Sequence, residues 1–225
     1  MPDTAALAPF DAVFSDFDGV LFDTEPIHYR AFRDTLAQAG VNLSERDYFD
    51  IYCHGDNRQI ITHVLKDQGI TDPVLIDQLC VQKEAHGLTL LSEAQPIAGT
   101  IAFLKRAASD GKTVAIVSSA ERSEIDVILK NADWTGCVSF IVSSDIVENV
   151  KPDPEPYLTA LKLASERLGV PLSADRCLVL EDTGGGIRAG RSAGMTVWAT
   201  GRTQPPAELL AAGAARFVND FNELL

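Results

Sequence analysis

The fold is decided by a short stretch near the start of the chain, Ala12-Val13-Phe14-Ser15-Asp16-Phe17-Asp18-Gly19. Its first four residues predict a β-strand, and two carboxylates separated by one residue follow it. Because residues two apart in a strand point to the same side, Asp16 and Asp18 could face one pocket at the strand end. Gly19 then allows the backbone to turn sharply away. The stretch therefore predicts a strand that delivers two acidic side chains to one place.

Two carboxylates this close repel each other, and the repulsion raises one of their pKa values unless a cation lies between them. The pair therefore indicates a bound metal ion, a shared proton, or both. A polar turn is the alternative interpretation, since an aspartate that follows a strand readily accepts hydrogen bonds from its own backbone. The residues of other segments are needed to decide between a metal or proton site and a polar turn.

Short apolar segments alternate with helical patterns along most of the chain. Continuous apolar strands between helices indicate a parallel sheet that is covered on both faces. We therefore predict a doubly wound, Rossmann-like α/β core whose catalytic groups lie at the carboxyl ends of its strands. The predicted strands are residues 12–15, 113–117, 139–142, 177–180 and 195–199. The predicted core helices are residues 97–108, 122–129 and 155–168.

The alternation breaks between Thr24 and Glu93, where helical patterns follow one another without a convincing strand. The helical segments there are residues 27–39, 58–66 and 74–83. A small helical domain inserted after the first strand is the simplest account. We therefore predict a core domain of residues 1–23 and 94–225 and a helical domain of residues 24–93.

The second predicted core strand is followed by Ser118 and Ser119, whose hydroxyls can donate hydrogen bonds to an anion. Alternatively, Ser119 caps the helix that begins after Ala120. Lys151 precedes three prolines at alternate positions and a predicted helix. Because prolines restrict the backbone that carries this charge, a positioning role for Lys151 is favoured over that of a solvated surface lysine.

A further apolar strand ends in Glu181 and Asp182 and continues through three glycines into a helix. Hard oxygen ligands at strand ends suit Mg²⁺, which prefers a few carboxylates together with water and substrate phosphate. Alternatively, the two acids interact favourably with the start of the following helix. All four segments lie at the carboxyl ends of predicted parallel strands or at the helix entrances just beyond them. One site explains them more simply than four coincidences.

These four segments, in this order, resemble the motifs of the haloacid dehalogenase superfamily. The motifs are Asp16-x-Asp18-Gly19-Val20, the hydroxyl-ending strand at Ser118, Lys151-Pro152 and Glu181-Asp182-Thr183. The patterns Glu25-Pro26-x-His28, Lys151-Pro152-x-Pro154-x-x-Tyr157 and the glycine- and alanine-rich segment 186–195 further resemble its β-phosphoglucomutase and sugar-phosphatase-like branch. The resemblance covers nearly the whole chain. It implies a Mg²⁺-dependent phosphatase that acts on a small phosphorylated metabolite, in particular a sugar phosphate.

The resemblance also implies a role for each site residue. Asp16 attacks phosphorus and forms an aspartyl-phosphate, and Asp18 protonates the leaving oxygen and later deprotonates the attacking water. Mg²⁺ is held by Asp16, the backbone carbonyl of Asp18 and Asp182, with Glu181 bound more closely or through water. The residues implied to hold the phosphoryl oxygens are Ser118, Ser119 and Lys151.

The inserted helical segment resembles the small cap domain of this branch, which closes over the site and supplies substrate contacts. His28, Arg58 and Lys83 stand where cap or hinge residues of the sugar-phosphate members meet substrate. The alternative for each of the three is a solvated or capping residue.

A mutase of the β-phosphoglucomutase type is the second hypothesis, because it would use the same aspartyl-phosphate. Glu121 stands where the mutase pattern carries a lysine, and an acid there would repel a second phosphate. A non-catalytic phosphate-binding or regulatory protein is the third hypothesis, and the reactive residue types at all four motif positions argue against it. Thr183, Gly190 and Ala98 depart from the family's usual serine, alanine and proline, which bears on helix stability more than on chemistry.

The composition of the chain argues against nucleic acids and membranes as its partners. Its 225 residues carry 32 acidic and 19 basic side chains, a net charge of −13, so the basic surface expected for nucleic-acid binding is missing. No apolar run approaches the roughly 20 residues that a membrane span needs, and residues 1–7 lack the basic start of a secretory signal. A cytoplasmic enzyme is the expectation. The cysteines predicted to be reduced and structural are Cys53, Cys80, Cys137 and Cys177.

Overall fold

The structure is a computed structural model that describes residues 6–52, 57–130, 134, 136–201 and 204–225. The chain divides into two compact units. The first consists of Met1–Asp23 together with Gln95–Leu225, and the second consists of Thr24–Ala94. Cys53 and the Gly55-Asp56 pair that precedes Arg58 lie outside the described residues.

A six-stranded sheet forms the centre of the first unit, and each neighbouring pair of its strands is parallel. In chain order the strands of this unit are β1 (Ala12–Ser15), β2 (Phe22–Asp23), β3 (Gln95–Pro96), β4 (Thr113–Val117), β5 (Phe140–Val142), β6 (Cys177–Glu181), β7 (Thr196–Ala199) and β8 (Arg216–Phe217). The sheet has the order β5-β4-β1-β6-β7-β8. The chain thus builds outward from β1 in one direction and then returns to continue from β6 in the other. Ligands of such sheets bind at this switch point.

The helices, in chain order, are α1 (Glu25–Gln38), α2 (Glu45–Asp47), α3 (Asn57–Asp67), α4 (Pro73–Leu90), α5 (Thr100–Ser109), α6 (Arg122–Leu129), α7 (Glu155–Leu168), α8 (Gly184–Ser192) and α9 (Pro206–Ala211). The first four belong to the second unit and the other five to the first. In the part of the chain that the structure describes, no helix has both the length and the apolar character needed to cross a membrane.

The central strands β1, β4 and β6 are buried on both faces, as their continuous apolar sequences predict. On one face, Phe14 and Val179 pack with residues of α7 and α8, among them Tyr157 and Ile187. On the other face, α5 packs against β4, and Phe103 stacks at an angle against Trp198 of β7. Helices therefore cover both faces of a parallel sheet, and the predicted doubly wound fold is confirmed.

The second unit is built from helices joined by short turns and loops, and it has its own apolar core. Side chains of α1, α3 and α4 form this core, including Phe32, Ile61 and Leu79. The last of these helices extends seven residues beyond the predicted end at residue 83. Gly87 lies in that extension, and a Cβ there would be 3.7 Å from the Cβ of Ala31 on α1. Close packing between the two helices thus continues past the point where helix propensity weakens.

The three shortest strands were not predicted from the sequence. β2 and β3 form a two-stranded antiparallel ribbon that pairs Phe22 with Pro96 and Asp23 with Gln95, where the chain leaves and re-enters the first unit. β8 is an edge strand beside β7. Each has only two residues, too few for a periodic pattern in the sequence.

Two departures from the family pattern have structural explanations. A Cβ on Gly190 would lie 2.9 Å from Cγ2 of Val197, so glycine lets α8 approach β7 closely. The hydroxyl of Thr183 accepts a hydrogen bond of 3.1 Å from the Gly186 N–H and caps α8, as serine would. Thr183 therefore preserves the start of this helix, and Gly190 is needed for its close packing against β7.

Cys80, Cys137 and Cys177, the cysteines within the described residues, are not joined in disulfides. Burial raises the pKa of the Cys177 thiol to about 12, which keeps it protonated at neutral pH. Its inert form agrees with a structural rather than a redox role.

Candidate active site

The candidate site lies at the carboxyl ends of the three central strands. Ser15 pairs with Ile116 of β4 and with Leu180 of β6, so the next residue of each strand lies at the same level. These next residues are Asp16, Val117 and Glu181. The Asp16 N–H also donates to the Leu180 carbonyl, which extends the ladder one residue beyond β1. Parallel pairing therefore fixes Asp16 beside the Glu181-Asp182 pair.

Lys151 joins the three strand ends through its ammonium group. Its Nζ donates to Asp16 Oδ1 at 2.9 Å, to the Val117 carbonyl at 2.7 Å and to Glu181 Oε1 at 2.7 Å. The Lys151 side chain is only 7% exposed. A buried lysine whose three donors are all used is a positioned charge, because the cost of burying it is offset by these partners.

The backbone that carries Lys151 is fixed by the carboxylate of Glu155. This carboxylate accepts hydrogen bonds from the N–H groups of Glu148 and Asn149 and from the Asn149 side-chain amide, at 2.8–2.9 Å. The first of these N–H groups is the largest cause of a lowered pKa at Glu155. The Lys151-Pro152 peptide bond is cis. The loop that precedes α7 is therefore held on both sides of the lysine.

Glu181 is fully buried, and both of its carboxylate oxygens accept hydrogen bonds. Oε1 accepts from Lys151 and from the Tyr157 hydroxyl, each at 2.7 Å. Oε2 accepts from the Asp182 N–H at 3.2 Å, the Thr183 N–H at 3.4 Å and the Thr183 hydroxyl at 3.2 Å. Five donors thus fix the orientation of this carboxylate.

The positive charge at the site is too small to balance its buried carboxylates, and the pKa values of Asp16 and Lys151 are shifted as a result. Burial and, next, the Glu181 charge raise the pKa of Asp16 to about 7, although Lys151 opposes both effects. Burial by itself lowers the pKa of Lys151, but the Asp16 and Glu181 carboxylates outweigh it and raise that pKa above its ordinary value. A second cation beside Asp16 would stabilise its charged form.

The acidic side chains of the site have an arrangement that fits a metal ion. Asp16, Glu181 and Asp182 are buried, and each offers a carboxylate oxygen within 4.8 Å of the others. Three carboxylates face the single ammonium of Lys151, so a divalent cation would improve the charge balance. Carboxylate oxygens are the ligands that Mg²⁺ prefers.

The remaining core residues predicted for the site surround these strand ends. Asp18 is half-buried in the turn after Asp16, where the Gly19 N–H donates to the Phe22 carbonyl at 2.8 Å and Gly19 has a φ of 70°. Ser118 is buried directly after β4, and its hydroxyl oxygen accepts from the Ala120 N–H at 3.0 Å. The proton of that hydroxyl can then be donated to an anion.

Ser119 is exposed and does not cap the next helix. Glu121 is the N-cap residue of α6, and its N–H donates to the Glu124 carboxylate at 3.2 Å. The alternative in which Ser119 is a helix cap was therefore wrong. The residue that differs from the mutase pattern occupies the start of α6 instead.

His28, Arg58 and Lys83 belong to the second unit. Lys83 is 4% exposed, with its Nζ 3.3 Å from His28 Nδ1 and 4.6 Å from the ring centroid of Phe32. Because an ammonium only donates, Nδ1 accepts and the proton of the neutral His28 ring is on Nε2. Arg58 forms an exposed ion pair with Asp77. The histidine and the lysine are thus brought together, and the arginine pairs elsewhere.

Tyr157, Thr183 and Gly186 were not predicted as site residues. Tyr157 and Thr183 stand next to predicted site segments but look in the sequence like a core residue and a helix cap. Their contacts with Glu181 join residues 24 and 2 positions apart. Only the motif that contains Tyr157 could have drawn attention to it, because no local pattern predicts where its hydroxyl lies.

Gly186 provides a test of how tightly Glu181 is held. A Cβ on Gly186 would lie 1.9 Å from Glu181 Oε1, whereas a Cβ on the neighbouring Gly185 would meet nothing within 4 Å. We expect Gly186→Ala to lower the free energy of unfolding by about 3 kcal/mol, since the carboxylate must leave its donors. Gly185→Ala, in the same helix, is expected to be neutral or to raise it by up to about 1 kcal/mol. Urea denaturation of both variants measures the difference, and equal stabilities would contradict the position of Glu181.

The chain is similar in sequence and in fold to several known proteins. A family profile described as haloacid dehalogenase-like hydrolase matches residues 13–200. The protein SUPPRESSOR OF QUENCHING 1, chloroplastic, of Arabidopsis thaliana is 29% identical over an alignment of 221 residues that covers 95% of this chain. The chain spans only 20% of the length of that relative.

Two further similarities cover most of both proteins. The phosphorylated carbohydrates phosphatase of Thermotoga maritima is 29% identical over an alignment of 198 residues that covers 82% of each protein. The crystal structure of CbbY from Rhodobacter sphaeroides in complex with phosphate has a TM-score of 0.75 at 26% identity, with 96% of each chain covered.

A doubly wound sheet with buried acids and a lysine at its switch point defines an α/β enzyme. The family match spans most of the chain and all four of its motif segments. This protein belongs to the haloacid dehalogenase-like hydrolase family. It is therefore a hydrolase.

Proposed function

We propose that this hydrolase is a Mg²⁺-dependent phosphatase that cleaves a small phosphorylated metabolite, in particular a sugar phosphate, through an aspartyl-phosphate on Asp16. The observation that carries the proposal is the buried contact of Lys151 with both Asp16 and Glu181 beside Asp182. Such a site combines a carboxylate nucleophile with a fixed cation. The name of the Thermotoga maritima relative supports the same substrate class.

Phosphate esters place two demands on such a site. Their uncatalysed hydrolysis is so slow that enzymes accelerate reactions of this class by up to about 10²¹-fold. A single ion pair near 4 Å contributes only about 4 kcal/mol at an effective dielectric constant of 20. Lys151 alone is therefore insufficient, and charge stabilisation has to act together with a covalent route.

In the first step, a carboxylate oxygen of Asp16 attacks phosphorus, and the bond between phosphorus and the leaving oxygen breaks. Asp18, two residues further along the turn, gives its proton to that oxygen, so the alcohol leaves neutral. The Ser118 hydroxyl donates a hydrogen bond to a phosphoryl oxygen, and Lys151 exchanges its hydrogen bond to Asp16 for one to the phosphoryl group. The nucleophile has to be charged for this step, and Lys151 favours that form of Asp16.

In the second step, water attacks the phosphorus of the aspartyl-phosphate and the Asp16 carboxylate leaves. Asp18 takes a proton from the water, which returns this residue to its starting state. The product is inorganic phosphate. Splitting the reaction in this way replaces one difficult displacement by two easier ones.

Asp16, Asp182 and the backbone carbonyl of Asp18 would hold Mg²⁺, with Glu181 adjacent. The ion would offset the repulsion between the anionic nucleophile and the anionic phosphate. In this arrangement Lys151 and the Tyr157 hydroxyl remain bound to Glu181 Oε1.

The proposal includes three substrate contacts from residues of the second unit, namely His28, Arg58 and Lys83. Lys83 is a buried cation, and His28 presents its Nε2–H as a donor while Nδ1 accepts from Lys83. A cation and a neutral donor held side by side suit the hydroxyls and phosphate of a sugar phosphate. The net charge of −13 favours a small metabolite over a nucleic acid as the phosphate donor.

The direct test measures release of inorganic phosphate from a panel of phosphorylated metabolites that includes several sugar phosphates. We expect release with Mg²⁺ and none after chelation with EDTA. Product analysis with β-glucose 1-phosphate and a catalytic bisphosphate tests the mutase in the same preparation. Formation of the 6-phosphate without free phosphate would replace the phosphatase by a mutase, and inactivity on the whole panel would overturn the proposal.

A further inference from the structure

Tyr157 is a polar residue in the core for which apolar packing gives no reason. It lies in the first turn of α7, is fully buried, and packs with apolar residues beneath the central strands. Phenylalanine fills other large positions in the buried core, such as Phe14 and Phe103. Burying a hydroxyl instead is unfavourable unless it is hydrogen-bonded, so its partner indicates its purpose.

The partner of the Tyr157 hydroxyl is the carboxylate that directs Lys151. The hydroxyl donates to Glu181 Oε1 at 2.7 Å, and Lys151 Nζ donates to the same oxygen at 2.7 Å. The ammonium also lies 5.1 Å from the ring centroid of Tyr157. Burial raises the pKa of the tyrosine well above its ordinary value, and the Glu181 charge adds to the rise. Tyr157 is therefore a neutral donor at neutral pH.

We infer that Tyr157 is a positioning residue of the phosphoryl site, whose hydroxyl holds Glu181 so that this carboxylate aims the Lys151 ammonium at Asp16. This inference rests on the proposed function, because it assigns the lysine to phosphoryl oxygens. Tyr157 itself touches neither Asp16 nor, in the proposed mechanism, the substrate. Tyr157 acts on the position of Lys151 through Glu181 Oε1, which accepts a hydrogen bond from each of them.

The test is binding of inorganic phosphate to Tyr157→Phe in saturating Mg²⁺, measured by calorimetry below the melting temperature. The substitution preserves the ring and removes the donor, so the core stays filled. We expect the dissociation constant for phosphate to rise about tenfold, the usual effect of one hydrogen bond to a charged group. In a panel assay with an active substrate, KM should rise in parallel.

Tyr48→Phe is the matched control. Tyr48 is also buried and donates to a carboxylate, Glu25 Oε1, at 2.6 Å, but it lies in the second unit. We expect it to lower the melting temperature as Tyr157→Phe does, while phosphate affinity stays within twofold of the wild type. Thr183→Val provides a second variant, because it removes a donor from the other oxygen of Glu181 and should also weaken phosphate binding.

Wild-type phosphate affinity in Tyr157→Phe would overturn the inference and leave the phosphatase proposal intact. Equal losses of affinity in Tyr157→Phe and Tyr48→Phe would overturn it too, since they would indicate a general effect on stability. A wild-type protein that binds phosphate but hydrolyses nothing on the panel would refute the proposed function alone. In that case the binding measurement still decides the role of Tyr157.

Discussion

Replacing Asp16 by asparagine is expected to abolish phosphate release, with a loss of about 10⁴-fold or more in kcat. Loss of a group that acts as the nucleophile has effects of this size, because the amide cannot attack phosphorus. The fold should survive the change. Burial disfavours the charged form of Asp16 and raises its pKa to about 7, so an uncharged side chain of the same shape removes a repulsion with Glu181. We therefore expect the melting temperature without Mg²⁺ to be unchanged or higher.

Asp11→Asn is the control for this experiment. Asp11 precedes β1 and forms an exposed ion pair with Arg176 at 2.6 Å, outside the acidic cluster. Its substitution should leave phosphate release near the wild-type rate. Both variants are assayed on the best substrate of the panel, with thermal melting recorded in parallel. Undiminished turnover in Asp16→Asn would remove Asp16 as the nucleophile, and unfolding of that variant would refute the charge argument.

The central sheet was predictable because its strands are continuous apolar segments between helices. Strands 12–15 and 113–117 and helices 122–129 and 155–168 have the predicted bounds. The two strands are continuously apolar because both faces of a parallel sheet are covered. The two helices have apolar residues at helical spacing on the side that is buried. Parallel pairing then brings the ends of β1, β4 and β6 to one edge, and Lys151 reaches this edge from the loop before α7.

What the sequence did not predict depends on contacts between distant segments. The helix α4 extends to Leu90 because α1 packs against it, although glycine and β-branched residues weaken its own propensity. The orientation of Glu181 is likewise set by Lys151 and Tyr157, which lie 30 and 24 residues away. A sequence motif shows that an acidic residue is present at a strand end. The hydrogen-bond partners of that residue determine whether its carboxylate binds a metal ion or positions a neighbouring side chain.

Replacing Lys151 by methionine is expected to lower the free energy of unfolding by about 3–5 kcal/mol in the absence of Mg²⁺. Methionine keeps an unbranched apolar chain but removes the ammonium, so Asp16 and Glu181 remain buried without their common cation. Removing one partner of a buried ion pair has effects of this size, because the charge left behind cannot be solvated. Phosphate release should also fall sharply, since the phosphoryl oxygens lose a fixed donor.

Mg²⁺ makes this prediction specific to the site. A cation bound by Asp16 and Asp182 would neutralise part of the charge that Lys151→Met leaves unpaired, so added Mg²⁺ should raise the stability of this variant more than that of the wild type. Urea denaturation with and without Mg²⁺ measures both effects. Lys162→Met is the control, because Lys162 is exposed on α7 and should change stability by no more than about 0.5 kcal/mol. A loss below 1 kcal/mol in Lys151→Met, or a Mg²⁺ effect equal to that in the wild type, would show that Lys151 and the metal do not share the Asp16 carboxylate.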